Sequence, residues 1–102
     1  MGIEVAVEES SGTKIDSVED PTNILHRVLP AHDDQQYQCL NRIDWYGDTI
    51  FNRYQIPIIQ VELQRLLEAP RSKDELALIE NIRVLAAKCE AQSHVYLKFY
   101  GD

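Results

Sequence analysis

The chain has 102 residues, of which 44% are hydrophobic and 26% are charged, and its formal net charge is −7. This length and composition predict one soluble globular domain spanning residues 1–102. The acidic balance argues against direct nucleic-acid binding, which needs a basic surface, and no apolar run is long enough to cross a bilayer. The N-terminal stretch MGIEVAVEE lacks the basic region of a secretory signal, so a cytoplasmic location is expected.

The N-terminal third predicts a β-hairpin followed by a short helix. Ile3, Val5 and Val7 alternate with polar residues, which is typical of a half-buried strand, and the turn sequence SSGT predicts a hairpin over residues 2–18. A helix is expected over about 21–29. Asp20 would cap its free amide groups, and Pro21 would lie in its first turn.

The middle and C-terminal parts predict a strand and two helices. The sequence YQCLNRI, residues 37–43, alternates and is predicted to form a third strand. A helix beginning near Pro57 has an apolar face, and we expect its Glu62, Gln64 and Arg65 to point away from the core. Ser72 and Glu75 form the capping-box pattern of a second, longer helix, and the short link between the two helices predicts an antiparallel pair.

The last strand is predicted from the alternation in HVYLKFY, residues 94–100. Val95, Leu97 and Phe99 would face one side of the sheet, and a late strand reached from a long helix often lies beside the first strand. The complete order predicts an α+β fold: a mostly antiparallel sheet of about four strands, with an antiparallel helix pair and a short helix packed on one face.

The segment RIDWYGDTIFNRYQIP, residues 42–57, is the most unusual part of the sequence. Gly47 fits a tight turn with positive φ, and Asp48 or Thr49 could cap a helical turn through Ile50 and Phe51. On this interpretation the side chains that enter the core are Ile50, Phe51 and Tyr54. An ordered corner of the fold, a recognition surface and a catalytic site all remain open for this segment.

Aromatic residues beside Arg and Asn are typical of protein-binding hot spots. The sequence therefore favours a non-enzymatic interaction module, such as an inhibitor, an immunity-type protein or a regulator. Its predicted binding residues are Trp45, Tyr46, Asp48, Asn52, Arg53 and Tyr96. Residues 1–36 contain eight acids and two bases, which gives −6 of the total charge, so a basic protein is the expected partner. A homodimer through the exposed sheet face also remains open.

The alternative function is binding of a small molecule or metal, or a small enzyme, using Asp44, Asp48, Asn52 and Arg53. Carboxylates and an amide are the ligands of hard cations, but the spacing fits no established metal or catalytic motif. No catalytic residue, metal ligand or cofactor is assigned from the sequence. Cys39 and Cys89 are isolated and are expected to be buried hydrophobic side chains.

The stretches MGIEVAVEE, DPTNILHRVLP and DWYGDTIFNRYQIP together resemble a group of short uncharacterised bacterial proteins. Members of this group begin with MGI or MGV and contain a Y-G-D-T-x-F-N core. The matching residues here are Tyr46, Gly47, Asp48, Thr49, Phe51 and Asn52. The resemblance implies a bacterial intracellular protein and no particular activity.

Overall fold

A computed structural model describes residues 3–20 and 22–101, and predictions that involve Met1, Gly2, Pro21 or Asp102 lie outside the described residues. The fold is α+β, as predicted, with a four-stranded antiparallel sheet in the order β2-β1-β4-β3. The strands are β1 (Glu4–Glu9), β2 (Lys14–Val18), β3 (Asp48–Phe51) and β4 (Val95–Tyr100). The helices are α1 (Leu25–Val28), α2 (Ile56–Leu67) and α3 (Lys73–Glu90), and a 3₁₀ turn spans Leu40–Arg42.

Strand β4 lies in the middle of the sheet, between β1 and β3, as the sequence predicts. Val5 pairs with Phe99 and Val7 pairs with Leu97, so apolar side chains from neighbouring strands lie on the same face. Phe51 joins them from β3, with its ring edge-on to that of Phe99 at a centroid distance of 5.8 Å. This face forms the floor of the hydrophobic core.

The helix pair closes the core above that face. Helix α3 contacts β1, β2 and β4, and it packs antiparallel against α2. The predicted capping box is present, since the Ser72 side chain accepts from the Glu75 N–H and the Glu75 carboxylate accepts from the Ser72 N–H. Cys39 and Cys89 are buried free thiols, as predicted. None of the described helices has the length and apolarity needed to cross a membrane.

The predicted third strand at 37–43 is wrong, and so is the outward orientation predicted for Glu62. The segment forms a loop and a 3₁₀ turn, whose backbone amides are held by the Glu62 carboxylate of α2. The carboxylate oxygens accept from the N–H groups of Gln38 at 2.5 Å, Cys39 at 3.2 Å and Leu40 at 2.9 Å. Glu62 is only 3% exposed. The Glu62 side chain thus supplies the hydrogen-bond acceptors that a neighbouring strand would supply in a sheet.

The short helix is present but much shorter than the predicted 21–29. Asp20 is buried, and its two carboxylate oxygens accept from the N–H groups of Ile24 at 2.8 Å and Leu25 at 2.7 Å. The predicted capping chemistry is therefore confirmed. However, Asn23 has a positive φ of 59°, which interrupts the helix before Leu25.

The region after Gly47 also differs from the prediction. Residues 48–51 form strand β3 and not a helical turn, so Phe51 enters the core while Ile50 is 56% exposed and Tyr54 is 82% exposed. Gly47 does not have a positive φ. A glycine is nevertheless needed where this segment meets the end of β4. The Gly101 N–H donates to the Gly47 carbonyl at 2.7 Å, and a Cβ on Gly101 would lie 2.5 Å from that oxygen.

Replacing Glu62 with alanine is expected to destabilise the protein by about 3–5 kcal/mol, because three amide donors lose a charged acceptor. Glu62→Gln, which retains one acceptor oxygen, is expected to cost roughly 1–3 kcal/mol. Urea unfolding measures both values. The control is Glu68→Ala, which removes the same charge from an exposed position directly after α2. Equal effects of Glu62→Ala and Glu68→Ala would contradict this account of the loop.

The capping box predicts a pH dependence of stability. The hydrogen bond from the Ser72 backbone, followed by contacts with Arg27, lowers the pKa of Glu75 from its ordinary value of 4.5. The folded state therefore favours the ionised form, so this stabilisation is complete above pH 4.5 and is lost as the pH falls through the lowered pKa. In acid-unfolding curves, Glu75→Gln should be destabilised at neutral pH and should show a smaller loss of stability on acidification. If the stability of Glu75→Gln fell with pH as steeply as that of the wild type, this role of the Glu75 carboxylate would be contradicted.

Candidate functional site around Tyr96

The sheet face opposite the helices has a polar and aromatic surface. Tyr96, Lys98 and Tyr100 alternate with the core residues of β4 and lie on this face. The Tyr100 hydroxyl donates to the carboxylate of Glu8, although Tyr100 is paired with Glu4 at the far end of β1. The Tyr100 side chain therefore lies along the sheet, which explains why Ala6 is fully buried on the face opposite the core.

Two lysines lie beside the Tyr100 ring. The Lys98 ammonium is 4.5 Å from the ring centroid and 3.7 Å from an Asp48 carboxylate oxygen, and the Lys14 ammonium is 5.5 Å from the same ring. The hydrogen bond to Glu8, together with burial, raises the pKa of Tyr100. Desolvation alone would lower the pKa of Lys98, but the contacts with Tyr100, Glu8 and Asp48 outweigh it, so the pKa is raised. The polar side chains in this part of the face therefore contact one another and form a network.

A hollow of about 320 Å³ lies next to this network, and we call it the acidic hollow. Two carboxylates, one aromatic ring and one exposed isoleucine contribute to its wall. Its lining residues are Glu8, Glu9, Ser10, Gly12, Ile50, Tyr96 and Lys98. Glu8 is only 5% exposed and is fixed by the Tyr100 hydroxyl, whereas Glu9 is exposed. The hollow thus combines two carboxylates and the Lys98 ammonium with apolar walls.

A second hollow, of about 200 Å³, lies on the other side of Tyr96 where β3 ends. We call it the Arg53 notch. It is lined by Asn52, Arg53, Tyr54, Ser93, His94, Val95 and Tyr96. The Arg53 guanidinium lies 6.0 Å from the Tyr54 ring centroid. His94 has a positive φ of 62°, which is unusual for a residue with a side chain.

The structure brings together only half of the predicted binding residues. Asn52, Arg53 and Tyr96 line the Arg53 notch, and Tyr96 also lines the acidic hollow. Tyr46 and Asp48 lie at the opposite end of β3, where Asp48 is paired with Tyr100. Tyr46 is 79% exposed. These two residues can belong to the same surface as Tyr96 only if that surface runs along the whole of β3.

Trp45 is not an exposed anchor. It is partly buried and packs against the hydrophobic core, with its ring centroid 4.7 Å from that of His26 and 6.0 Å from that of His32. Its indole nitrogen is buried without a hydrogen-bond partner in the described structure. Trp45 therefore helps to hold the segment before β3 against the core, and its neighbour Tyr46 is the residue that reaches solvent.

The alternative set of Asp44, Asp48, Asn52 and Arg53 does not converge on one point. Four residues of extended chain place Asp48 and Asn52 roughly 13 Å apart, at opposite ends of β3. Asp44 accepts a hydrogen bond from the Tyr46 N–H at 2.9 Å and so closes its own turn. Within residues 3–20 and 22–101, no group of three His, Cys, Asp or Glu side chains is arranged to hold a metal ion.

Sequence reasoning missed the side chains that make Tyr96 the centre of the site. Glu8 and Glu9 could have been found from the pairing of the first and last strands, because antiparallel pairing places them opposite Tyr96 and Val95. The predicted helical turn after Gly47 places Ile50 and Tyr54 in the core, whereas strand β3 exposes both. His94 could not be identified from the sequence pattern, because a positive φ at a histidine depends on the tertiary path from α3 to β4.

Comparison of the chain with protein-family models, with curated proteins and with solved structures finds no match. The resemblance to the bacterial group with the Y-G-D-T-x-F-N core therefore stays a prediction. The function has to be inferred from the geometry of the site.

The backbone at His94 can be tested by substitution. A left-handed conformation costs an L-residue about 1–2 kcal/mol, which glycine avoids, although glycine also loses more chain entropy on folding. We expect His94→Gly to leave stability unchanged or to raise it by up to about 1 kcal/mol, and His94→Val to lower it by more than about 1 kcal/mol. Urea unfolding provides the measurement. A large destabilisation by glycine would mean that the imidazole itself stabilises the fold.

Proposed function

We propose that this protein is a non-enzymatic interaction module, of the inhibitor, immunity or regulatory type, that binds a basic protein along strand β3 and in the acidic hollow. The observation that supports this most directly is the position of Ile50. It is an exposed apolar side chain on an edge strand, and it also forms part of the wall of the acidic hollow. One partner segment could therefore contact the strand edge and the hollow together.

Strand β3 offers an edge for backbone pairing. It is the last strand of the sheet and pairs only with β4 among the residues that the structure describes. The alternation of an antiparallel pair leaves every second residue of an edge strand with its N–H and C=O directed outward. An extended peptide can add to such an edge, and side-chain pockets beside it then provide specificity.

The exposed side chains along β3 suit a protein contact. Tyr46 precedes the strand, Ile50 lies within it and Tyr54 follows it, and all three are well exposed. Tyrosine buries a large area on binding while few rotatable bonds are fixed, which is why it is frequent in binding hot spots. Apolar and aromatic groups spaced along one edge give a partner segment several points of attachment.

The acidic hollow matches a lysine or arginine side chain. The aliphatic part of such a side chain can pack against Ile50 and Tyr96, while its cation can pair with the exposed carboxylate of Glu9. The Glu8 carboxylate already accepts from the Tyr100 hydroxyl. The net charge of −7 attracts a basic protein at long range and raises its rate of association. Charge complementarity therefore favours a basic partner.

The proposal is tested with two lysine variants of matched exposure. Ile50→Lys places a charge on the proposed contact, whereas Val84→Lys places the same charge on an exposed position of α3, where Val84 is 55% exposed. Tagged wild type and both variants are incubated with lysate of the source organism, and captured proteins are quantified by mass spectrometry. We expect a basic protein to be captured by wild type and Val84→Lys, and its recovery by Ile50→Lys to fall by at least about tenfold.

A second measurement examines the acidic hollow with the captured partner. Glu9→Gln should weaken binding and reduce its salt dependence, because an exposed carboxylate of the contact is removed. Glu68→Gln, an equal loss of charge away from the hollow, should change neither. Equal capture of one partner by Ile50→Lys and Val84→Lys, or the absence of any specifically captured protein, would refute the proposal.

A further inference from the structure

The Arg53 notch exists because β3 is shorter than the strand it pairs with. Pairing between β3 and β4 runs from Asp48 with Tyr100 to Phe51 with Leu97, and β4 extends to Val95 without a partner on that side in the described structure. The chain turns away at Asn52, whose side-chain oxygen accepts from the N–H groups of Tyr54 at 3.0 Å and Gln55 at 3.2 Å. The space left beside the end of β4 is the notch.

Hydrogen-bond donors dominate the lining of the notch. Arg53 contributes a guanidinium, Ser93 a hydroxyl, and Tyr54 and Tyr96 phenolic groups. Because the Asn52 oxygen already accepts two backbone hydrogen bonds, its amide NH₂ is the part that remains able to bind a ligand. No aspartate or glutamate of residues 3–20 and 22–101 belongs to the lining. This set of groups suits an acceptor with negative charge.

Arg53 is one of three basic residues, with Arg42 and Lys73, that form no ion pair and no hydrogen bond to a backbone carbonyl among the described residues. Five of the ten bases form ion pairs with carboxylates, and Arg65 and Arg71 donate to backbone carbonyls. Arg53 is exposed and takes part in neither kind of contact among residues 3–20 and 22–101. Since the chain has 17 acidic side chains, a guanidinium without a carboxylate partner and inside a hollow is open to an external anion.

We infer that the Arg53 notch binds a small oxyanion, either a phosphate group or a carboxylate group of a small molecule. The planar guanidinium can donate two parallel hydrogen bonds to either group, and residues with hydroxyl and amide donors line the same notch. The net charge of −7 opposes anions at long range, so binding depends on these short-range donors. This site shares Tyr54 and Tyr96 with the proposed protein contact, but Ile50 and Glu9 do not line it.

The inference is tested with inorganic phosphate and, separately, with acetate. Each is titrated into the protein at constant ionic strength, and amide chemical shifts are followed by two-dimensional NMR. We expect saturable shifts confined to residues 52–54 and 93–96. Tighter binding of phosphate would identify the ligand class as phosphates, and tighter binding of acetate would identify it as carboxylates. Absence of saturable shifts with both anions would overturn the inference.

Variants distinguish a specific site from a general effect of charge. Arg53→Gln should weaken anion binding by about tenfold or more, because a charge-assisted hydrogen bond is lost. Arg53→Lys should be intermediate, since a lysine lacks the planar fork. The control is Arg42→Gln, which removes the same charge from another exposed arginine without an ion pair among the described residues. Equal weakening by Arg42→Gln and Arg53→Gln would overturn the inference.

One rival explanation of Arg53 concerns the end of α3. Arg53 acts to lower the pKa of Cys89, although burial raises that pKa overall, so the guanidinium lies near the last turn of the helix. A cation there is favoured by the helix dipole without any ligand. Ser93→Ala separates the two explanations, because it removes a donor from the notch and leaves all charges unchanged. Weaker anion binding in Ser93→Ala would support the site, and unchanged affinity would contradict a site built from the donors of the notch.

Discussion

The buried carboxylate of Glu62 organises the least regular part of this protein. Residues 29–47 contain no strand, yet Cys39 and Leu40 are buried in the core. Buried N–H groups need acceptors, and the carboxyl group of a single side chain supplies them to three consecutive residues. Because α2 carries Glu62, the formation of this helix and the path of the preceding loop are linked. The loop then brings Trp45 against the core and lets β3 begin at Asp48.

The path of this loop matters for function because it sets the position of β3 in the sheet. If residues 37–43 had formed the third strand, the exposed edge of the sheet would have a different sequence, and the segment 44–55 would be a connecting loop. Instead, the short strand at 48–51 forms the edge. Its length leaves Val95 and Tyr96 uncovered on one side, and its alternation exposes Ile50 while Phe51 enters the core. Both hollows beside Tyr96 depend on these two features.

The two hollows have opposite chemistry although one side chain separates them. Glu8 and Glu9 give one hollow negative charge, and Arg53 gives the other a positive charge without a carboxylate in its lining. Between them, Tyr96 presents an aromatic ring to both sides. Asp44 and Asp48, the carboxylates of the alternative function, line neither hollow.

The sequence by itself determined the elements whose signals are local. Alternation gave the β1–β2 hairpin and β4, periodicity gave the helix pair, and the S-x-x-E pattern gave the start of α3, because each depends on residues within a few positions of one another. Tertiary structure decided the rest. Whether residues 37–43 or 48–51 become the strand depends on Glu62, which lies more than 20 residues from the amides it binds. The exposure of Ile50 and the meeting of Asn52 and Arg53 with Ser93 and His94 likewise follow from strand pairing across the chain, which local patterns do not encode.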